Sequence, residues 1–568
     1  MDREDSANRG LIGRRDRRAD VLRPFGAYLT GAVLVLRAHS DGHAATLCPA
    51  AASVVITADG ADIPATAGFD AVVLTELLPK PVAALGGDRL QATIAWGRAR
   101  LRPGGWLILS VDNALSLNRL AAGSETPGRE GFPSLEGRPR PDGYQLPTRS
   151  GLERSLRAFG LVHQAWWFPF PDRHAPLSLL SERGLARPCG FDPGALALAA
   201  APDPTGAGAM LFSPQRAWTP VADQGLIGDL APAFVVAASE TPLPPDGTLA
   251  IHVGLRRRPE FERLVTFAMT ASGIDVCRTP LNPGLVGRVE EVRNLFPAET
   301  YVPGPLWSTL LDRRCAQDGW CPDGVTSWAV EWRDTVSRHF AAGAEMVVDT
   351  ILPSSALDAI PKNLVSGDDR AFIDLEWDLG VPLDAGHLAL RGLVNALTDV
   401  RTWGRFALPP PNLLEVLRAV LPRLGLAMDD AQLAARFARE SRFQSLVSGH
   451  ATHRDLGWAA ATFLSAADEL QADPVQPSQL ALLDDPAAEI ARLREENEAL
   501  RAARAADAAA HEAAELESDR RTDRVIAHAA ELHRAHDHLQ DRLLTRKAAS
   551  WRNIRLPMRL RRLLKGTT

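Results

Sequence analysis

The chain reads as an α/β domain, then an α+β domain, then a long coiled-coil helix, and three observations predict that order. From Gly31 to Asn113, hydrophobic runs of strand length recur with helix patterns, as in a Rossmann-like layer, here reduced by one unit. Across residues 244–470, short strand patterns give way to amphipathic helices. After Pro486 and as far as about Arg546, Ala, Glu, Arg and Leu dominate and neither Gly nor Pro occurs, the composition of one continuous helix. The boundaries expected are a charged arm over 1–20, the first domain over 21–243, the second over 244–470, a coiled coil over 486–547 and a basic tail over 548–568.

With 568 residues and 46% hydrophobic content, the sequence supports more than one real core. Five cysteines (Cys48, Cys189, Cys277, Cys315, Cys321) are scattered, with no CxxC pair and no zinc-ligand spacing, which favours a reduced compartment and argues against structural zinc. The opening MDREDSANRGLIGRRDRRAD mixes charges and lacks an apolar core, so neither export nor a membrane span is expected. A net charge of −6 argues against general nucleic-acid binding, which needs a basic field.

The first strand, GAVLVLRA, runs from Gly31 to Ala38. The turn after it, HSDGHAATL, keeps only Gly42 where a nucleotide-type turn carries several glycines for close backbone approach. The second strand, SVVITAD, ends on Asp59, where a carboxylate suits the two hydroxyls of a ribose. FDAVVL then starts only ten residues later, at Phe69. A parallel crossover needs about a dozen residues or more, so one βαβ unit is expected to be lost or collapsed. GWLILSV leads to Asp112 and Asn113, at the strand end where open α/β sheets place their ligands, which makes both acceptor-site candidates. In SGLERSLRAFG, Leu152, Leu156 and Phe159 share one helix face, and Ser150 is the expected cap. The aromatic group Trp166, Trp167, Phe168 and Phe170, with Asp172, fits either a sugar-acceptor site or a core strand, and aromatic burial favours the core. PAFVVAAS supplies a late closing strand.

FDAVVLTELLP followed by WGRARLRPGGWLILSVDN resembles the rear half of a class I methyltransferase domain. The succession VDNALSLNRLAAG, EGFPSLEG, a helix and WWFPFPDRHAPLSLLSE resembles the methyltransferase half of the bifunctional methyltransferase and kinase proteins that cap O-antigen polysaccharide chains, over roughly Phe69 to Ser239. The resemblance implies S-adenosylmethionine as cofactor, with Gly42 and Asp59 against it, and a lipid-linked glycan as acceptor.

In the second domain, LPSSALDAIPKNLVSGDDRAFIDLEW places Asp358, Asn363 and Asp374 in the order of a kinase catalytic loop. There the first Asp orients the attacking hydroxyl, while the Asn and the second Asp hold magnesium. The triple alone is unspecific, and its context strengthens it: the strand VVDTIL precedes the loop, and IPKNLV and AFIDLEW suit a flanking hairpin. The segment resembles small-molecule and sugar kinases and the kinase half of the same capping family, which implies Mg-ATP, Asp358 as catalytic base, and Asn363 and Asp374 as metal ligands. Departures are Ala356 two residues before Asp358, and Leu375 and Glu376 after Asp374. Arg278 stands at the place of the strand lysine that pairs with nucleotide phosphates, with Glu290 or Glu291 as its expected helix partner, although a planar guanidinium does not simply replace an ammonium. YVPGPLWSTLL is the expected hinge, and the helices from Leu390 onward either complete the same lobe or form a separate bundle.

In the rod, Ile490, Leu493, Asn497 and Leu500, then Val525, Ala529, Leu532, His536, Leu539 and Leu543, follow alternating three and four spacing, with a lapse between them where Arg504 and Asp507 would fall in the seam; Asn497 favours a homo-oligomer of dimer type, and an exposed single helix is the alternative. The tail TRKAASWRNIRLPMRLRRLLKGTT holds eight Lys or Arg, no acid, and interleaved bulky apolar residues. That suits an anionic membrane surface, where each base contributes about 1 kcal/mol; nucleic-acid binding is the rival reading, and the bulky apolar residues and the acidic remainder of the chain favour the membrane. The order of coiled coil, SWR and basic apolar tail also resembles the C-termini of polysaccharide-assembly proteins. Two readings follow: an enzyme modifying the end of a membrane-bound glycan, or a catalytically degenerate scaffold recruiting glycosyltransferases, in either case cytoplasmic and peripheral on the inner membrane face.

Overall fold

The computed structural model describes residues 18–449 except 27–28, 37–47, 49, 59, 66–67, 79–87, 123–124, 126–130, 139–143, 201–211, 256, 286, 368–369, 401–403 and 405–411. The chain divides into two units, Met1–Pro474 and Val475–Thr568, and the second, with the expected coiled coil and basic tail, lies outside the described residues.

The first unit is organised by one 11-stranded sheet. Its strands are β1 (Gly31–Leu36), β2 (Ala51–Thr57), β3 (Phe69–Leu74), β4 (Leu101–Asp112), β5 (His163–Phe170), β6 (Ser178–Ser181), β7 (Ala233–Ser239), β8 (Thr248–Gly254), β9 (Arg263–Thr270) and β10 (Gly273–Pro280). After the small hairpin of β11 (Arg288–Val289) and β12 (Val292–Asn294), β13 (Glu299–Thr300) completes it. The spatial order is β13-β10-β9-β8-β6-β5-β7-β4-β3-β1-β2. Strands β2, β1, β3 and β4 run parallel, and β7 inserts antiparallel between β4 and β5. This is a Rossmann-like, methyltransferase-type layer in which, among the described residues, no further parallel strand lies beyond β2.

The short gap read from the sequence is real. Strand β2 ends at Thr57 and β3 begins at Phe69, and the described residues between them form neither helix nor strand. The β3-to-β4 crossover keeps its helix, Arg89–Arg98, started by Asp88, whose carboxylate accepts from the Leu90 N–H. Gly97 lets that helix lie close to the sheet, since a Cβ there would stand 2.6 Å from Leu107. The helix before β5, Arg149–Ala158, is capped by Thr148 and not by Ser150, because the chain turns helical one residue before Ser150 and the Thr148 hydroxyl accepts from Gly151 N–H.

The aromatic group packs inward. Phe234 on β7 meets Trp166 and Phe168 edge-on at 5.7 and 6.2 Å, and Phe170 meets Trp218 at 4.9 Å. These side chains are buried, as burial arithmetic for aromatics suggests.

Beyond Ser239 the sheet continues without a break, as β6 pairs with β8, and β8, β9, β10 and β13 extend it antiparallel. The layer therefore crosses the boundary expected at residue 243. The helices Trp307–Cys315, Pro322–Phe340, Ala385–Thr398, Leu413–Val420 and Asp430–Ser448 share one core with the 351–379 loops. Trp307 and Trp328 each donate an indole N–H to the other's carbonyl, at 3.3 and 2.9 Å, and Trp332 donates to the Ala359 carbonyl at 2.8 Å. The helices expected from Leu390 onward are thus joined to the loop that carries Asp358. No helix of the described residues is long and apolar enough to cross a membrane.

Because β6 lies between β5 and β8, a chain cut after Leu243 would expose the fully buried edge of Ser178–Ser181. Such a fragment is expected to aggregate, whereas residues 1–474 melt in one transition; light scattering and calorimetry check this, and a soluble, monomeric 1–243 fragment would contradict it.

Candidate functional site

Two clusters of charged side chains occupy the places where the sequence expects chemistry. The first lies at the carboxyl ends of the parallel strands. Strand order reverses between β1 and β3, the crevice where open α/β sheets take ligands. There the Thr75 hydroxyl donates to the Leu36 carbonyl at 3.0 Å and ties the two strand ends together. Arg173 lies across them, donating to the Thr75 carbonyl at 2.7 Å and to Asp112 Oδ1 at 3.1 Å, with Glu76 at 3.5 Å. Arg119 takes the other Asp112 oxygen at 3.2 Å.

Burial disfavours the Arg173 cation, and Asp112 and Glu76 outweigh that and hold it firmly protonated. Burial, then the Arg173 charge, keeps His174 below the usual histidine range, so its imidazole is neutral at pH 7. Asn113 is fully buried, and its amide donates to the Asp229 and Ala231 carbonyls at 2.7 and 2.8 Å while its oxygen accepts from Leu115 N–H at 3.0 Å. It therefore pins the end of β4, and its hydrogen-bonding groups are engaged within the fold. Asp172 likewise closes a turn, accepting from the His174 and Ala175 N–H groups. Gly42 and Asp59 lie outside the described residues.

The second cluster lies under β9 and β10. The Asn363 amide donates to the backbone carbonyls of Asp358 at 3.0 Å and Asp374 at 3.4 Å, so the three residues of the catalytic-loop pattern do meet. Asp374 sits at φ +55°, in the left-handed region that non-glycine residues seldom adopt. Its carboxylate is gripped from the sheet. Arg263 on β9 donates in fork fashion to Oδ1 and Oδ2 at 2.8 and 2.9 Å. Arg278 on β10 brings Nε within 2.7 Å of Oδ1, an ion-pair contact without hydrogen-bond alignment.

Glu376 is engaged as fully, by Arg263, by Arg257 in fork fashion at 2.7 and 2.9 Å, and by Asn294 at 2.8 Å. Arg278 donates further to Glu299 at 2.6 Å and to the Pro297 carbonyl at 3.0 Å. Its carboxylate partners are therefore Glu299 on β13 and Asp374. Glu290 and Glu291 instead flank the β11–β12 turn and pair with Arg442, because the segment expected to be a helix folds as a hairpin.

On the far side, Asp358 accepts from Arg391 at 3.0 Å, and Arg391 also reaches Glu440 at 2.6 Å, all three buried. Burial pushes the Asp358 carboxyl up to about 6; Arg391 opposes this, while Glu376 and Asp374 add to it. Burial also works against ionised Asp374, but Arg263 and Arg278 prevail and hold it below the usual carboxylate range. Among the described residues no group of three or more His, Cys, Asp or Glu side chains is set to hold a metal ion. The sequence reading missed Arg257, Arg263, Glu299, Glu376, Arg391 and Glu440. Arg391 and Glu440 did leave a trace, as charged residues each three positions from two buried apolar ones, Leu388 and Val394, and Phe437 and Phe443.

No family model matches this sequence, and no curated protein matches it. Similar solved structures include a SAM-dependent methyltransferase from Thermotoga maritima, at 11% identity and TM-score 0.20 over 42% of this chain and 96% of that one. Another is a SAM-dependent methyltransferase from Archaeoglobus fulgidus, at 13% identity and TM-score 0.22 over 42% and 100%.

Replacing Arg391 with Met leaves Asp358 and Glu440 buried without their counter-ion and is expected to cost about 3 to 5 kcal/mol in urea unfolding at pH 7. Adding Asp358→Asn and Glu440→Gln should recover most of that loss, and a single variant as stable as wild type would refute the network's importance. A second test is pH. With a folded value near 6, above the ordinary unfolded one, Asp358 favours folding at low pH, and this contribution is lost as pH rises through about 6. Relative to Asp358→Asn, wild type should therefore lose stability between about pH 4 and 6 and change little above that. A difference that stays flat across this window contradicts the assignment.

Proposed function

We propose that this chain is a catalytically degenerate, methyltransferase-like scaffold of cell-surface polysaccharide assembly, which recruits glycosyltransferases to the membrane instead of transferring groups itself. One observation carries this reading: both carboxylate oxygens of Asp374, the residue that would hold magnesium, are bound by arginines from β9 and β10. The Arg278 guanidinium, expected on nucleotide phosphates, is engaged with Glu299 and Asp374 instead. In the first half, the lost crossover unit and Arg173 lying across the strand ends support the same reading. The polysaccharide context rests on the sequence resemblance over Phe69 to Ser239.

A second reading keeps the first half active. The reversal of strand order between β1 and β3 is the place where S-adenosylmethionine would lie, and this favours methyl transfer to a lipid-linked glycan end, with Mg-ATP serving a phosphorylation step at Asp358. Thermal shift of the full chain separates the two. A ligand at a hundred times its dissociation constant stabilises by about 2.7 kcal/mol. The scaffold reading expects no shift with S-adenosylmethionine, S-adenosylhomocysteine or Mg-ATP. It also expects unchanged glycan length in cells carrying a folded Asp358→Asn, Asp374→Asn chain; a saturable shift with altered glycan length would overturn it in favour of the enzyme.

A further inference from the structure

Among the described residues, one end of the sheet is an unpaired strand edge. Strand β2 is the last in the order and, among the described residues, pairs only with β1. Natural edge strands are blunted by charge, proline, a bulge or a covering element, because an unpaired row of backbone N–H and C=O groups invites another strand. Ala51–Thr57 carries neither charge nor proline, and its one irregularity, at Ala52, lies at the start, leaving Ser53–Thr57 regular. Val54 and Ile56 pack toward the core, while Ser53 and Val55 are exposed, Val55 to 38%. An apolar, regular edge of this kind is a template for pairing.

We infer that a second copy of this chain docks on β2, antiparallel, about a two-fold axis at Val55. The sequence of the edge is self-complementary in that register. Val55 faces Val55, Val54 faces Ile56, and Ser53 faces Thr57, so hydroxyl meets hydroxyl and β-branched aliphatic meets β-branched aliphatic at every position. Opposed residues of an antiparallel pair point to the same face, so Val54 and Ile56 of both copies stay on the core side and the exposed Val55 pair is covered. No charge is brought against its like. The far edge of the sheet, β13, is only two residues long and its Glu299 is held by Arg278, so each copy offers one such edge and the contact closes at two. A five-residue ribbon buries less than the roughly 1,200 Å² of a standard interface, so the pairing is weak on its own. This inference is independent of whether either half is catalytic.

Cysteine cross-linking of the full chain tests it. Opposed Cα atoms of an antiparallel pair lie about 4.5 to 5.5 Å apart, within disulfide reach. Equal amounts of ¹⁴N- and ¹⁵N-labelled Val55→Cys protein, oxidised with diamide, should yield as the main new product a mixed-isotope peptide pair, disulfide-linked through position 55 of both copies. The exposed native Cys189, Cys277 and Cys321 give different peptides and do not confuse the readout. Ser53→Cys alone should yield far less self-linked peptide, because Ser53 faces Thr57, whereas Ser53→Cys with Thr57→Cys should link 53 to 57 between copies. Adding Val55→Lys to that double variant sets two ammonium groups face to face and should abolish the link. Equal self-linking at 53 and 55 would overturn the proposal as random collision. So would absence of the 55-to-55 link, including the case where the thiol introduced by Val55→Cys is shielded by another segment of the chain or by a different protein.

Discussion

The arginine fork on Asp374 is the contact on which the arrangement of the second half depends. Three guanidiniums, Arg257, Arg263 and Arg278, face three carboxylates, Asp374, Glu376 and Glu299, so the buried charges balance. Such a set adds little to stability compared with apolar packing of equal volume, but it punishes misplacement heavily, since each charge left alone in the interior is expensive. Its consequence is register. With Arg263 on β9 and Arg278 on β10 both fixed to one residue, the loop bearing Asp374 can dock on the sheet in one way only. The left-handed backbone at Asp374 is sustained by that grip and by the Asp374 N–H, which donates to Glu299 at 3.1 Å.

That grip requires a rigid platform, and the continuous sheet supplies it. Strands β9 and β10 hang on β8, β8 on β6, and β6 on the methyltransferase-type layer, whose centre is the buried aromatic packing around Phe234. The two halves that the sequence separates at residue 243 therefore share one hydrogen-bonded layer. Evolution within such a layer has a constraint: a unit can be dropped only where no strand is stranded in the middle. Among the described residues the sheet ends at β2, so the unit expected from the sequence is missing only at the outer edge, where the rest of the ladder does not depend on it.

Much of the first half was legible because its central strands are largely buried and read as nearly continuous apolar runs, as in GAVLVL, FDAVVL and GWLILSV. The short interval between Asp59 and Phe69 announced the lost unit by chain length alone. Local chemistry was less secure: Thr148 and Ser150 are both competent caps, and only the backbone angle at Thr148 decides between them. The second half was legible as a pattern of residues and not as a network. Arg263 and Asp374 are 111 positions apart and Arg391 and Glu440 are 49 apart, and nothing local to either partner specifies the other. The same blindness produced the Glu290 or Glu291 expectation, since a helix partner for Arg278 was sought in a segment whose sequence turns back as a hairpin. Gly42, Asp59, the heptads and the basic tail lie outside the described residues.

The charge balance also bears on what the second cleft can accept. A divalent cation arriving at Asp374 would meet Arg263 and Arg278 already within 3 Å of the oxygens it needs, so it must repel or displace at least one guanidinium. A buried arginine stripped of its carboxylate costs about 3 to 5 kcal/mol, equivalent to some two to four orders of magnitude in affinity. A triphosphate could pair with the released arginine, but only after the fork has opened and the metal has taken its place on the carboxylate. The site as built is thus already neutralised by its own side chains. In a kinase that neutralisation arrives with the nucleotide as magnesium, and here it is covalently part of β9 and β10, which turns a binding requirement into a folding one.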